Sequence, residues 1–129
     1  MGISLLALQT LLPVFRALPK LEDLAISVYA VHTEALGAAT PRIPWHQLTH
    51  LSSLAPCPGL KTIRLVVSGG PIECHFPPTA EDARDLLAAL SPLRNTVMPD
   101  IMIEGFSRED MRDVNILYPE GFTLAFLYA

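Results

Sequence analysis

The sequence predicts an α/β fold in which repeated helix–turn–strand units build a mainly parallel four-stranded sheet, covered by helices on one face. Three observations predict it: an apolar-x-x-apolar-x-apolar motif occurs three times, a helical pattern accompanies the motif, and prolines punctuate the chain. Strands separated by helices favour parallel pairing with right-handed crossovers, because parallel neighbours need a crossover connection. We expect a single domain over residues 1–129, with about four units stacked into a short arc. The alternative is a compact α/β or α+β sandwich with a different strand order.

The repeated motif marks the strands. It occurs in PKLEDLAISV, PGLKTIRLVV and TVMPDIMIEG, and its first position recurs at a nearly constant spacing, at Leu21, Leu60 and Met98. The final residues, GFTLAFLYA, match the motif in part. Strands are therefore predicted near 21–29, 60–68, 98–106 and 122–128.

The first two helical patterns lie before the first and second motifs. Thr10 is predicted to cap a short helix over 11–18, with Pro13 in its first turn, where a missing N–H costs little. A second helix is predicted over 44–55. Its apolar face is formed by Trp45, Leu48, Leu51 and Leu54.

Two further helices begin at capping boxes. Thr79 and Asp82 form the first box, which precedes the clearest amphipathic helix of the chain. The apolar side of this helix consists of Ala83, Leu86, Leu87 and Leu90. Ser107 and Asp110 repeat the spacing before Met111, which predicts another helix start.

Composition limits the classes of partner. Half of the residues are hydrophobic and 17% are charged, so the chain has fewer charges than an average soluble domain. We therefore expect some apolar surface to stay exposed or to meet a partner. A net charge of −4 with nine scattered Lys and Arg argues against a nucleic-acid partner, which needs a basic stripe. No run reaches the ~20 apolar residues of a membrane span, so no membrane partner is expected.

Cysteine content and the first residues predict the compartment. Cys57 and Cys74 do not make a disulfide framework, which indicates a reducing environment. The opening MGISLLALQT has no basic segment before its apolar run, unlike a secretory signal. We expect an intracellular protein, cytoplasmic or nuclear.

The phrases LPKLEDLAIS and LAPCPGLKTIRL resemble leucine-rich repeats of the long, degenerate type found in fungal F-box-type proteins. The resemblance covers three strand motifs across most of the chain. It implies repeats that bind a target protein, whereas a separate F-box segment binds a ubiquitin-ligase adaptor in that family. This sequence shows no F-box segment before its first repeat, and Val67 or Ser68 stands where the family has Asn. The resemblance thus implies a repeat-like binding module.

Because side chains alternate along a strand, the sequence predicts which residues lie on the sheet face that the helices do not cover. Arg64 and Glu104 are expected to pair across adjacent strands. Aromatic residues and Arg dominate binding hot spots, so this face is a candidate protein-binding surface. The predicted partner-binding residues are Tyr29, Arg64, Met102, Glu104 and Phe106. The competing interpretation is an ordinary exposed or covered sheet face.

The leading prediction is a non-enzymatic protein-interaction module with no catalytic residue, cofactor or metal. The terminal strand FTLAFLYA is expected to lie centrally in a compact sheet. The alternatives are a piece of a longer array or an exposed edge through which copies of the chain could pair as a homo-oligomer or a self-assembling structural protein. The alternative is a small α/β enzyme or a ligand- or metal-binding protein. Its candidate site consists of His46, His50, Cys57, Cys74 and His75.

The histidine spacing is the basis of that alternative. His46 and His50 stand at i and i+4, which an α-helix presents on one face, as a zinc site requires. The pattern lacks the Glu of zinc proteases, and no C-x₂-C pair is present. These absences favour surface histidines over a metal site.

Overall fold

The computed structural model describes residues 2–18, 20–31, 43–54, 59–70, 78–93, 99–112 and 123–128. The strands in these ranges are β1 (Gly2–Ser4), β2 (Asp23–Val28), β3 (Thr62–Val67), β4 (Asp100–Glu104) and β5 (Leu124–Leu127). The α-helices are α1 (Leu8–Arg16), α2 (Ala80–Leu90) and α3 (Arg108–Met111), and the 3₁₀ helices are Leu5–Ala7, Trp45–Leu54 and Ser91–Leu93.

The five strands form one sheet in which every neighbouring pair is parallel. Their order is β1-β2-β3-β4-β5, so each strand lies beside the next one in the chain. The predicted α/β class with a mainly parallel sheet is confirmed, and the alternative strand order is wrong. The sheet has one strand more than predicted, because β1 is very short and carries no copy of the motif.

The repeat spacing sets the register of the sheet. Because the motif recurs at a nearly constant spacing, its equivalent positions lie opposite one another across β2, β3 and β4. One row of paired residues is Leu24, Ile63, Ile101 and Leu124, and the next is Ile26, Leu65, Ile103 and Phe126. The first motif position falls outside the strands at Leu21 and Leu60, and Met98 lies outside the described residues.

These two rows form the sheet side of the core. All of their members are buried except Phe126, which is partly buried against the others. The helices cover them side by side: α1 contacts the Trp45–Leu54 helix, which contacts α2, which contacts α3. The helix side of the core includes Phe15, Leu48, Leu51 and Leu86. Each such side chain contributes about 1.5–3 kcal/mol on burial.

The first helix begins earlier than the sequence predicted. A 3₁₀ turn leads directly into α1 at Leu8, and Ala7 occupies the N-cap position without a side-chain hydrogen bond. The prediction that Thr10 caps this helix is therefore wrong. As a result, Pro13 lies inside α1 rather than in its first turn.

The predicted capping box of α2 is confirmed. The backbone N–H of Thr79 donates to Asp82 Oδ2 at 2.9 Å, and the backbone N–H of Asp82 donates to Thr79 Oγ1 at 3.3 Å. The helix predicted after Ser107 is α3, which begins at Arg108.

The segment predicted as a helix over 44–55 is a 3₁₀ helix. Side chains three residues apart eclipse one another in this geometry. Trp45, Leu48 and Leu51 have this spacing, so 3₁₀ winding brings them to one side of the helix. Leu48 and Leu51 are fully buried there, and Trp45 packs against the core beside them.

Candidate functional site

The face of the sheet that points away from the helices is called the open face here. Its residues alternate with the buried rows along each strand, and no helix in the described ranges packs across its centre, where Arg64 and Val66 are exposed. It consists of Gly2, Ser4, Asp23, Ala25, Ser27, Thr62, Arg64, Val66, Asp100, Met102, Glu104, Ala125 and Leu127.

An ion pair lies at the centre of the open face. Arg64 Nε is 3.4 Å from Glu104 Oε1, which confirms the expected pairing across β3 and β4. The register places Glu104 opposite Val66, so the pair runs diagonally between the strands. Exposed ion pairs contribute about 0–1 kcal/mol to stability. The pair therefore contributes little to stability, and it places the guanidinium beside Glu104 on the open face.

Apolar side chains stand on both sides of this ion pair. Val66 and Leu127 face Glu104 from the two neighbouring strands, and they are 40% and 42% exposed. Met102, half-buried, lies beside Arg64 in the adjoining row. The face thus presents apolar surface around an arginine, a composition found in the centres of protein interfaces.

The two halves of the open face differ in height. The β1 and β2 positions that pair with each other on this face are small: Gly2, Ser4, Ala25 and Ser27. The β3 to β5 positions include Arg64, Val66, Met102 and Leu127, which are larger. The surface over β1 and β2 is therefore lower than the surface over β3 to β5. Tyr29, half-buried, follows β2 at one end of the lower part.

Four of the five predicted partner-binding residues lie on or beside the open face: Tyr29, Arg64, Met102 and Glu104. The placement of Phe106 there is wrong, because Phe106 is only 2% exposed. The strand ends at Glu104, and Gly105 then turns the chain with a φ of 110°. Alternation stops at that turn, so Phe106 enters the core and its ring contacts Phe126 edge-on at 5.7 Å between centroids.

Sequence reasoning missed two exposed carboxylates of the open face. Asp23 and Asp100 begin β2 and β4, and each is paired in register with Thr62 of β3. The alternation that assigned Arg64 to this face also assigns these two residues to it. The signal was present, but the predicted partner-binding residues were chosen among aromatic residues, the Arg64–Glu104 pair and its neighbour Met102, and the first position of each strand was left out.

The histidines of the alternative site do not share a helix face. In a 3₁₀ helix, residues at i and i+4 are about 120° apart around the axis, unlike in an α-helix. His46 is exposed, and Gln47 Nε2 donates to its Nε2 at 3.1 Å. Among the described residues, no group of three or more His, Cys, Asp or Glu could hold a metal ion. Cys57, Cys74 and His75 lie outside the described residues.

A cleft of about 690 Å³ opens where β2 and β3 end. It is lined by Ala30, Ile43, Trp45, Gly69, Glu81, Asp82 and Asp85. The carboxyl ends of parallel strands are a common place for ligands in α/β proteins. Here Asp82 is held by the capping box of α2, so it serves the helix start. Residues 32–42 and 71–77, which follow β2 and β3 in the chain, lie outside the described residues.

No family model, curated protein or solved structure matches this chain. What the described residues define is an α/β protein with an all-parallel sheet, one face of which carries the core. No helix within the described ranges is long and apolar enough to cross a membrane.

Proposed function

We propose that the chain is a non-enzymatic protein-interaction module that binds a partner protein through the open face. The observation that carries this proposal is the exposure of Val66 and Leu127 beside the Arg64–Glu104 ion pair. Two apolar side chains in one row leave a patch of the sheet unprotected from water, and a partner would remove that patch from solvent.

The geometry of the sheet favours binding over a merely solvated surface. Neighbouring strands hold their side chains about 4.8 Å apart, and alternate residues of one strand about 6.6 Å apart. Because β2, β3 and β4 are each paired on both sides, this array is fixed before a partner arrives. Preorganised surfaces lose less conformational entropy on binding.

Arg64 is the central anchor of the proposed interface. Its Nε faces Glu104, and a guanidinium has further N–H donors beyond that contact. Arg is enriched among residues that dominate binding energy, because it combines an apolar stem with several donors. Met102 and Val66 surround it with apolar surface, and Tyr29 lies at the rim.

The resemblance to leucine-rich repeats supports the same proposal. In that family, stacked repeats bind target proteins, and the strand order of this sheet is the sequential order that stacked units produce. The proposal concerns the binding function alone and does not extend to ubiquitin ligation. We further propose that binding takes place in the cytoplasm or nucleus, since the chain has only two cysteines.

A matched pair of valines tests the proposal. Val66 is 40% exposed on the open face, and Val14 is 47% exposed on α1 at the opposite side of the molecule. The immobilised wild-type protein is used to capture partners. Each captured protein is then purified, and its binding to the wild type, to Val66→Asp and to Val14→Asp is measured by calorimetry. We expect Val66→Asp to weaken binding by at least about tenfold, because a hot-spot side chain contributes upwards of about 1–2 kcal/mol. Val14→Asp should bind like the wild type.

Arg64→Glu provides a second variant on the same surface, with Arg84→Glu of exposed α2 as its control. Arg64→Glu should abolish binding without lowering the melting temperature. A partner that binds Val66→Asp and Arg64→Glu as tightly as the wild type would count against the open face. Loss of binding in Val14→Asp alone would show that the interface lies on the helices instead.

A further inference from the structure

Two carboxylates of the open face have no counter-charge among the described residues. Asp23 and Asp100 are exposed, and the register places them on either side of Thr62. They are therefore two strand spacings apart, or about 10 Å. Within the described part of the chain, neither takes part in an ion pair, whereas Arg64 faces Glu104.

The charge of the open face is consequently negative. Its described residues include three carboxylates, those of Asp23, Asp100 and Glu104, and one cation, Arg64. Lys61 precedes β3 at the same end of the sheet, but its Nζ lies 4.0 Å from Glu22. The negative charge is concentrated in the row where the strands begin, and the exposed apolar side chains lie farther along the strands.

We infer that the partner presents a segment with Lys or Arg side chains at one end and apolar side chains at the other. The cations meet Asp23 and Asp100, and the apolar side chains cover Val66 and Leu127. Val66 lies four residues beyond Thr62 in β3, which separates the two groups by about 13 Å. This inference rests on the proposed function, because it names the partner chemistry of the same face.

Charge complementarity is the reason for a cationic partner. An apolar or acidic partner would desolvate Asp23 and Asp100 without giving them a counter-charge, and an unpaired charge in an interface is costly. A cationic segment satisfies both carboxylates and leaves the Arg64–Glu104 pair intact. The apolar end of the segment then determines the direction in which the segment lies across the sheet.

The test uses two short synthetic peptides of equal length. One carries lysines near one end and leucines near the other, and the second has glutamates in place of the lysines. Binding to the full chain is followed through methionine methyl signals in NMR spectra. Met102 lies on the open face and should shift with the lysine peptide, whereas Met111 is buried in the core and should not.

Two double variants of equal net charge separate local attraction from the overall charge of the protein. Asp23→Lys with Asp100→Lys changes the open face, and Asp85→Lys with Glu109→Lys changes exposed positions of α2 and α3. The first should weaken binding of the lysine peptide about tenfold, since exposed ion pairs each change affinity a few-fold. The second should leave the affinity within about twofold of the wild type.

The outcomes distinguish this inference from the proposed function. Equal affinity of both double variants for the lysine peptide would overturn the inference, and so would no binding of either peptide at the Met102 methyl. Equal or tighter binding of the glutamate peptide at Met102 would also overturn the inference, yet it would keep the open face as a binding surface. The proposed function is tested separately with the captured partner. It fails if Val66→Asp and Arg64→Glu bind that partner as tightly as the wild type.

Discussion

Gly105 determines how the chain leaves β4. Its φ of 110° lies in a region that L side chains rarely adopt, and a Cβ at this position would collide with the carbonyl oxygen of Val67. The turn directs Phe106 into the core, where its ring meets Phe126. One residue without a side chain therefore ends the open face at Glu104 and adds an aromatic side chain to the core.

Gly105→Ala is expected to destabilise the protein. The added Cβ introduces backbone strain and a contact with β3 that only a backbone shift can relieve. We expect the free energy of unfolding to fall by about 2–3 kcal/mol in urea denaturation. Gly2→Ala is the matched control, because its nearest contact would be the Ala25 carbonyl oxygen at 4.0 Å. It should change stability by less than about 0.5 kcal/mol, and equal losses in both variants would contradict the assigned role of Gly105.

The helices of this fold begin in different ways. The capping box of α2 satisfies two backbone donors with the side chains of Thr79 and Asp82. By contrast, α1 continues from a 3₁₀ turn and has no side-chain cap. A threonine near a helix start is consequently not by itself a cap, and its place relative to the first helical turn decides its role.

The same substitution at two threonines checks this difference. Thr79→Ala removes the acceptor for the Asp82 N–H, so we expect a loss of about 1 kcal/mol in the free energy of unfolding. Thr10 is exposed inside α1, and Thr10→Ala should stay within about 0.5 kcal/mol of the wild type. Thermal and chemical denaturation measure both variants. A larger loss at Thr10 than at Thr79 would restore Thr10 as the helix cap.

At the scale of the whole molecule, the sheet buries one face and leaves two edges. The edge strands of the described sheet are β1 and β5. Edge strands present unpaired backbone groups that can join a second chain. Pairing of copies along β5 remains a prediction, and it is distinct from binding on the open face.

A matched pair of leucines tests pairing along β5. Leu127 lies in β5 and is 42% exposed, while Leu18 follows α1 and is 37% exposed. If copies pair along β5, light scattering should give a mass that rises with concentration. A lysine on an edge strand disfavours such pairing, so Leu127→Lys should return the monomer mass, whereas Leu18→Lys and the open-face variant Val66→Asp should not. A wild-type mass that stays monomeric at all concentrations would exclude this assembly.

The class of fold was predictable from the sequence, and the motif spacing already contained the register of three strands. The nearly constant spacing of the motif brings like positions together across β2, β3 and β4, and alternation then assigns the Arg64–Glu104 pair to one face. Both inferences hold because strand periodicity is local and does not depend on distant packing. The capping box of α2 was predictable for the same reason.

Other features depend on long-range contacts and were not predictable from local pattern. Pairing with β2 makes a strand of the short β1 segment, which carries no recognisable motif. Packing against the core favours a 3₁₀ helix over Trp45–Leu54. This geometry places His46 and His50 on different sides of the helix. The turn at Gly105 moved Phe106 from the expected open face into the core. In each case the outcome depends on what lies across the sheet or across the core, and such contacts join residues far apart in the chain.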